Sequence, residues 1–304
     1  MNRFFKDLID TKQAYNEGKN ITDLLKKKNK LNKNTKEIIE IAYEFQSGEY
    51  VKEFNKNKNI YNKYINEISE YINKYTKDKY SILDIGCGEA TTLSGIVKKL
   101  ISKKNAIYAF DISLSRIYIG KKFSQEKIRK KNLINFFVAN ISQIPLKDKS
   151  IDIIISSHSL EPNGGNESVL SKELIRVAKK KLILFEPCFE QASKKIKKRM
   201  LRYGYITNLE KSMKKHGAIL EKRVPIMNTI DKLNPTFCYI FSLPETSSIK
   251  SRISFTDPGT NNKLEKKENY FISKITNLSY PIINKIPILR QEKAIIFKSS
   301  DKKN

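Results

Sequence analysis

Ser81-Ile-Leu-Asp84-Ile-Gly86-Cys87-Gly88-Glu-Ala90 is the stretch that decides how this chain folds. Five residues suited to a buried strand run straight into a turn with two glycines one residue apart, and an amphipathic stretch from about Thr92 to Lys103 follows. Glycine reaches backbone conformations that other residues resist, and its missing side chain lets a ligand lie against the main chain. In an α/β sheet such a turn falls at the carboxyl edge, where ligands bind. Taken alone, the glycine pair also fits an ordinary tight turn.

Downstream, short β-branched runs at Ala106–Phe110, Phe136–Ala139, Ile151–Ser156 and Lys181–Phe185 alternate with amphipathic stretches. That alternation is the pattern of βαβ units and a mainly parallel sheet. Two further runs, Ala218–Arg223 and Phe237–Leu243, follow a helix expected to start with a capping box, Thr207-x-x-Glu210, and to stop at Gly217. The expected fold is therefore α/β: a doubly wound, Rossmann-like, seven-stranded and mainly parallel sheet. Residues 79–243 would form this domain. Upstream, residues 1–78 read as a helical extension or lid; Tyr61, Tyr64, Ile65, Ile68, Tyr71, Ile72 and Tyr75 share one helix face. Between Leu25 and Asn34 the Lys/Asn run reads as a solvated loop or frayed helix. Residues 244–250 read as a linker, and 251–304 as a small β module with a disordered basic tail.

Asp111 ends the second apolar run, 25 residues after Gly86. A carboxylate there either accepts hydrogen bonds from both hydroxyls of a ribose or caps the helix that begins near Ser113. A dinucleotide site would want a third glycine three residues after Gly88, where Thr91 stands. Over the 304 residues the formal charge is +27, mostly from Lys. Either contact with a polyanion or A/T-rich codon usage, which also favours Asn and Ile, accounts for that excess. Cys87, Cys188 and Cys238 are far apart, with no CxxC pair or histidine at metal-ligand spacing, so no metal site or disulfide framework is expected. Neither a signal peptide nor a membrane span is expected, and the location expected is cytoplasmic.

The run Leu83-Asp-Ile-Gly-Cys-Gly-Glu-Ala90, the strand-end Asp111, Val138-Ala-Asn140-Ile141 and Ile151-Asp-Ile-Ile-Ile-Ser-Ser157-His158-Ser-Leu-Glu161-Pro resemble the successive motifs of class I S-adenosylmethionine (SAM)-dependent methyltransferases, with a type 11-like core. The resemblance covers about residues 40–243. It implies SAM as cofactor, with Asp84, Gly86 and Gly88 at the methionine end, Asp111 at the ribose and Asn140 with Ile141 at the adenine. Cys87, Ile112 and Ser157, which adjoin those positions, complete the expected cofactor set. An acid beside the turn suits a sulfonium cofactor that has no phosphate. Ala90 and Asn140 depart from a frequent Gly and a frequent Asp, and both replacements keep the needed size or acceptor atom.

Methyl transfer from a sulfonium needs alignment of donor and acceptor and, for some acceptors, removal of a proton. His158, with Glu161 beside it, is the candidate base, and a structural histidine bonded to its loop is the alternative. Leu160-Glu161-Pro-Asn163 stands where amine methyltransferases of the adenine or glutamine type resemble one another in Asp/Asn-Pro-Pro-aromatic, which disfavours base amines as acceptors. Asn163, Arg199, Arg202, Tyr205 and Tyr50 are the candidate substrate contacts. Phe255-Thr-Asp257-Pro-Gly-Thr260 with Ser279-Tyr280-Pro resembles the zinc-ribbon-derived modules that act as methyltransferase activators. Without cysteines, such a module would be metal-free and held by Tyr280, Ile282, Ile286, Ile288 and Leu289, and it could dock a partner protein; a plain β-hairpin against the main domain is the other reading. The acceptor expected is a small molecule or glycan precursor of surface-polysaccharide or metabolite biosynthesis. A tRNA or rRNA acceptor on a Lys-rich face, and a non-catalytic SAM-binding scaffold, are the alternatives.

Overall fold

A computed structural model describes residues 3–31, 34–128, 134–244 and 253–297. The expected linker beyond Pro244 and the expected tail beyond Phe297 lie outside the described residues. Five helices lead the chain: α1 (Arg3–Asn16), α2 (Ile21–Lys28), α3 (Lys36–Phe45), α4 (Glu49–Lys56) and α5 (Lys58–Tyr75). Strands and helices then alternate as β1 (Ser81–Ile85), α6 (Thr91–Lys99), β2 (Ala106–Asp111), α7 (Leu114–Lys127), β3 (Ile134–Val138), β4 (Ile151–Ser157), α8 (Glu167–Val177) and β5 (Ala178–Pro187). Helices α9 (Lys194–Tyr203) and α10 (Leu209–Lys215) precede β6 (Ile219–Pro225) and β7 (Thr236–Ser242).

The sheet order is β3-β2-β1-β4-β5-β7-β6, parallel except for β7, which runs antiparallel to both neighbours. Between β1 and β4 the strand order reverses, and at such a switch point the connections diverge to opposite faces and leave a crevice at the carboxyl edge. Alternate residues feed two apolar layers. Leu83, Ile85, Phe110 and Ile154 pack with Leu170 and Leu174 of α8 and Met213 of α10. Ile82, Ile107, Ile153 and Ile155 pack with Leu93 and Ile96 of α6 and with Tyr64, Ile65, Ile68 and Ile72 of α5. The apolar stripe read from α5 is thus its packing face.

The expected capping box does not form. α10 begins at Leu209 after Asn208, because the Thr207 amide donates to Glu167 Oε1 at 2.9 Å and Glu210 pairs with Lys214 and Arg223. Its end does follow expectation. Gly217 has φ +93°, its amide donates to the Lys214 carbonyl and the Ala218 amide to Met213, which together close a Schellman motif. Helix α6 stops at Lys99, short of Lys103. The segment read as a solvated loop or frayed helix is helical through Lys28, and Leu25 is buried against Ile21, Ile38 and Ala42, a tertiary anchor that local composition does not reveal.

After the sheet, β8 (Leu264–Lys266), β9 (Tyr270–Ser273), β10 (Leu278–Ile283), β11 (Ile286–Pro287) and β12 (Ile295–Ile296) form a small antiparallel unit. Leu264, Phe271, Tyr280 and Leu289 join the same apolar layer as Phe137, so the unit packs on the β3 side of the sheet. Bridges Val138–Ile288 and Leu146–Phe255 fasten it there. Inside it, buried Asp257 accepts from the Tyr280 hydroxyl at 2.9 Å and from Ser273 Oγ at 2.6 Å. Among the described residues no cluster of His, Cys, Asp or Glu is placed to hold a metal, and no helix is long and apolar enough to cross a membrane.

Candidate active site

The glycine turn after β1 needs its glycines for two different reasons. Gly86 (φ +62°) lies so close to the loop after β4 that a β-carbon there would sit 2.5 Å from Ser159 Cβ. Gly88 (φ +53°) keeps a left-handed backbone while its amide donates to Asp111 Oδ2 at 2.9 Å. Ala90 is also left-handed, with φ +53°, and fully buried at the start of α6. A residue with a β-carbon costs about 1–2 kcal/mol in that conformation, so replacement of glycine here stores strain in the turn.

Around this turn opens a cleft of about 940 Å³, counting the open solvent at its mouth. Its floor holds Asp84 at the end of β1 and Asp111 at the end of β2. Asp111 accepts from the Ser113 amide at 3.0 Å as well as from Gly88, while Ser113 itself is the cap of α7 and takes the Arg116 amide. Its capping role is therefore filled by Ser113, and its carboxylate faces the cleft. Burial raises the Asp111 carboxyl above its ordinary range, and Arg116 partly opposes that. Asp84 is raised well above, by burial first and then by the negative charges of Asp111 and Glu186. Its carboxylate has no hydrogen-bond partner among the described residues. Cys87 lines the cleft half-buried, its thiol pushed up by desolvation, which disfavours the thiolate. Ile112, Asn140 and Ile141 line the side beyond Asp111.

The loop after β4 forms the opposite wall. Ser157 lines the cleft and its hydroxyl is 2.7 Å from that of Tyr64. His158 follows with φ +56°, its Nδ1 2.8 Å from Glu161 Oε2 and its Nε2 2.7 Å from Thr236 Oγ1. Glu161 also accepts from Asn234 Nδ2 at 2.8 Å and hydrogen-bonds with Tyr205. Burial by itself would lower the imidazole, but the charge and hydrogen bond of Glu161 outweigh it and raise His158 above 6.5. Glu186, at the end of β5, shapes this loop from beneath. It is fully buried, and it accepts from the amides of Ser159, Leu160 and Glu161. Desolvation pushes its carboxyl up to about 7.

Helices α3 and α4 roof the cleft with Lys36, Ile39, Tyr43 and Tyr50. Glu89 holds the roof down, its two carboxylate oxygens each accepting at 2.7 Å from the amides of Gly48 and Val51 at the start of α4. Acidic groups favour that end of a helix. Asn163 completes the lining near Pro162. Glu161 and Tyr205 stand behind His158 rather than on the lining. Arg199 and Arg202 are not on the lining: Arg199 binds the Leu233 carbonyl and Asp231 and lies 6.0 Å over the Tyr205 ring, and Arg202 is 71% exposed beside Asp23. Their helix buries Met200 fully and leaves Leu201 exposed. Arg116, Tyr43, Glu89, Glu186, Asn234 and Thr236 were not expected from sequence. A charged residue closing an apolar run, as in Phe185-Glu186, was the available signal for one of them; the others have none, because distant segments bring them together.

A family profile described as a methyltransferase domain matches residues 76–234. The chain belongs to the methyltransferase domain family. This methyltransferase is similar in fold to the magnesium protoporphyrin IX methyltransferase of Synechocystis PCC 6803 with bound S-adenosylhomocysteine, at 14% identity and a TM-score of 0.51, over 67% of this chain and 98% of that one. A SAM-dependent methyltransferase from Methanosarcina mazei aligns at 18% identity and a TM-score of 0.49, over 58% and 98% of the two chains. One from Aquifex aeolicus aligns at 17% and 0.45, over 58% and 89%. No curated protein matches the sequence. The methyltransferase is SAM-dependent. Its cleft fits that cofactor in charge: three buried acids converge on it, and one of them, Asp84, lacks any partner, as a sulfonium or ammonium group would require.

Proposed function

We propose that this methyltransferase modifies a small molecule or a glycan precursor, of the kind used in surface-polysaccharide or metabolite biosynthesis. The observation that carries the reading is the roof: Tyr43 of α3 and Tyr50 of α4 line the same cleft as Gly86, Asp111 and His158. An acceptor enters a covered chamber, as a small molecule or a single projecting sugar does. In this reading Asp84, Gly86, Cys87 and Gly88 hold the methionine end of SAM, Asp111 takes the ribose hydroxyls, and Ile112, Asn140 and Ile141 surround the adenine, with Ser157 contacting the cofactor from the opposite wall.

When bound, SAM supplies a methyl group already activated by its sulfonium. The chain's part is to align the acceptor against it, exclude water and accept a proton. His158 takes that proton at Nε2 when an acceptor hydroxyl replaces Thr236 as its partner. Glu161 holds the ring through Nδ1, and Asn163 contacts the acceptor. Calorimetric titration tests the cofactor half: the protein is expected to bind SAM and S-adenosylhomocysteine, and Asp111→Ala to weaken both at least tenfold. Unchanged affinity in that variant would remove Asp111 from the ribose. For the acceptor half, purified protein and methyl-labelled SAM are incubated with cell extract, which is then split into RNA, lipid-linked glycan and metabolite fractions. Label is expected in either of the last two, and label only in RNA would overturn the assignment.

A further inference from the structure

Arg116 is an anomaly on the wall of this cleft. It stands in the first turn of α7, is 3% exposed, and lines the cleft, yet its Nε and Nη2 have no hydrogen-bond partner. No carboxylate among the described residues forms an ion pair with it. Asp111 and Glu89 act on it through their charge without a hydrogen bond, and two rings pack on it, with the guanidinium carbon 3.9 Å from the centroid of Tyr43 and 4.5 Å from that of Tyr50. Stacking fixes the plane of a guanidinium but leaves its in-plane donors unsatisfied. A buried cation with open donors is costly unless an anion arrives to take them.

The opposite anomaly lies across the same turn, where Asp84 is a buried carboxylate without a partner. The donors of one and the acceptors of the other are open, and one zwitterionic ligand bearing a cationic centre and a carboxylate satisfies both. Gly88 lies next to Arg116: a β-carbon built there would stand 3.9 Å from Arg116 Nη1. Of the other basic groups on the lining, Lys36 is already paired with Glu292 at 3.4 Å and His158 with Glu161 at 2.8 Å. We propose that Arg116, oriented by Tyr43 and Tyr50, is the residue that receives the carboxylate of the cofactor's amino-acid tail. A neutral ribose hydroxyl would fill the donors without compensating the charge, which is why the carboxylate is the assigned partner.

This assignment rests on the SAM reading of the cleft, and one experiment separates their failures. The full chain and its Arg116→Met variant are titrated calorimetrically with S-adenosylhomocysteine and with 5′-methylthioadenosine, which has the same nucleoside but lacks the amino-acid tail. Arg116→Met is expected to weaken S-adenosylhomocysteine about 10- to 100-fold, the scale of a charge-assisted pair, and to leave 5′-methylthioadenosine unchanged. Retained binding of the second ligand also shows that the variant is folded. Equal weakening of both ligands, or of neither, would overturn the role of Arg116 while leaving the cofactor reading intact. Failure of the unmodified chain to bind S-adenosylhomocysteine would overturn both.

Discussion

His158 has both ring nitrogens engaged, one by a carboxylate and one by a hydroxyl, and that arrangement favours the imidazolium. Its raised pKa means that the neutral, proton-accepting form is populated only above the ordinary 6.5. If it is the base, kcat/KM should rise with pH along a limb lying above 6.5. Glu161→Gln removes the charge that raises it, so burial then dominates and the limb should move to lower pH, as a pH–rate profile would show; an unmoved limb would assign it to another group. The stability contribution has the matching sign, because a histidine raised by a partner stabilises the fold below its unfolded pKa and loses that contribution as pH rises through the folded value. At this scale the sequence was partly legible. His158 and Glu161 stood out as a rare histidine and an acid in one loop, but Asn234 and Thr236 reach the same ring from more than 70 residues away.

Among the elements, the contact of α7 with the glycine turn is the least forgiving. Gly120 lets α7 lie directly on that turn: an added β-carbon would be 2.9 Å from the Glu89 carbonyl carbon and 3.2 Å from Ala90 Cβ. Backbone has little room to yield there, so Gly120→Ala should destabilise the protein by about 1–3 kcal/mol in denaturant melts and weaken cofactor binding with it. At Gly95 an added β-carbon would be 2.8 Å from both Cδ1 and Cγ2 of the buried Ile65, side-chain rather than backbone atoms, so its substitution should cost less than that of Gly120. The strands were legible because a parallel strand buried on both faces must be apolar throughout, as β1 and the inner part of β4 are. The start of α10 was not. Its capping signal was present in the letters, but Glu167 reached the Thr207 amide first, and a tertiary partner outweighs a local one.

Across the whole molecule, the roof, the nucleotide side of the cleft and the C-terminal strands meet at one buried side chain. Arg290, 2% exposed, donates to the Ile112 carbonyl at 3.2 Å and pairs with Glu40 of α3 at 2.8 Å and with Glu292 at 2.7 Å. The C-terminal unit thus ties α3, which carries Ile39 and Tyr43, to the segment following Asp111. Arg290→Met leaves Glu40 with Lys293 at 3.3 Å and should cost about 2–3 kcal/mol of stability, less than a fully buried pair because Glu40 keeps some solvent and that second partner. It should also speed release of S-adenosylhomocysteine in stopped-flow measurements. Wild-type release and melting in that variant would show that the roof is held by Glu89 alone. By itself the sequence determined the sheet, its glycine turn and the acid on the next strand, since burial and backbone conformation act on neighbouring residues and leave periodic marks. Only the tertiary structure decided which charges face the cleft unpaired, that Arg199 and Arg202 stay outside it, and that residue 290 belongs to its frame. Those outcomes depend on which distant groups arrive to satisfy a buried charge, and the order of residues along the chain carries no trace of that.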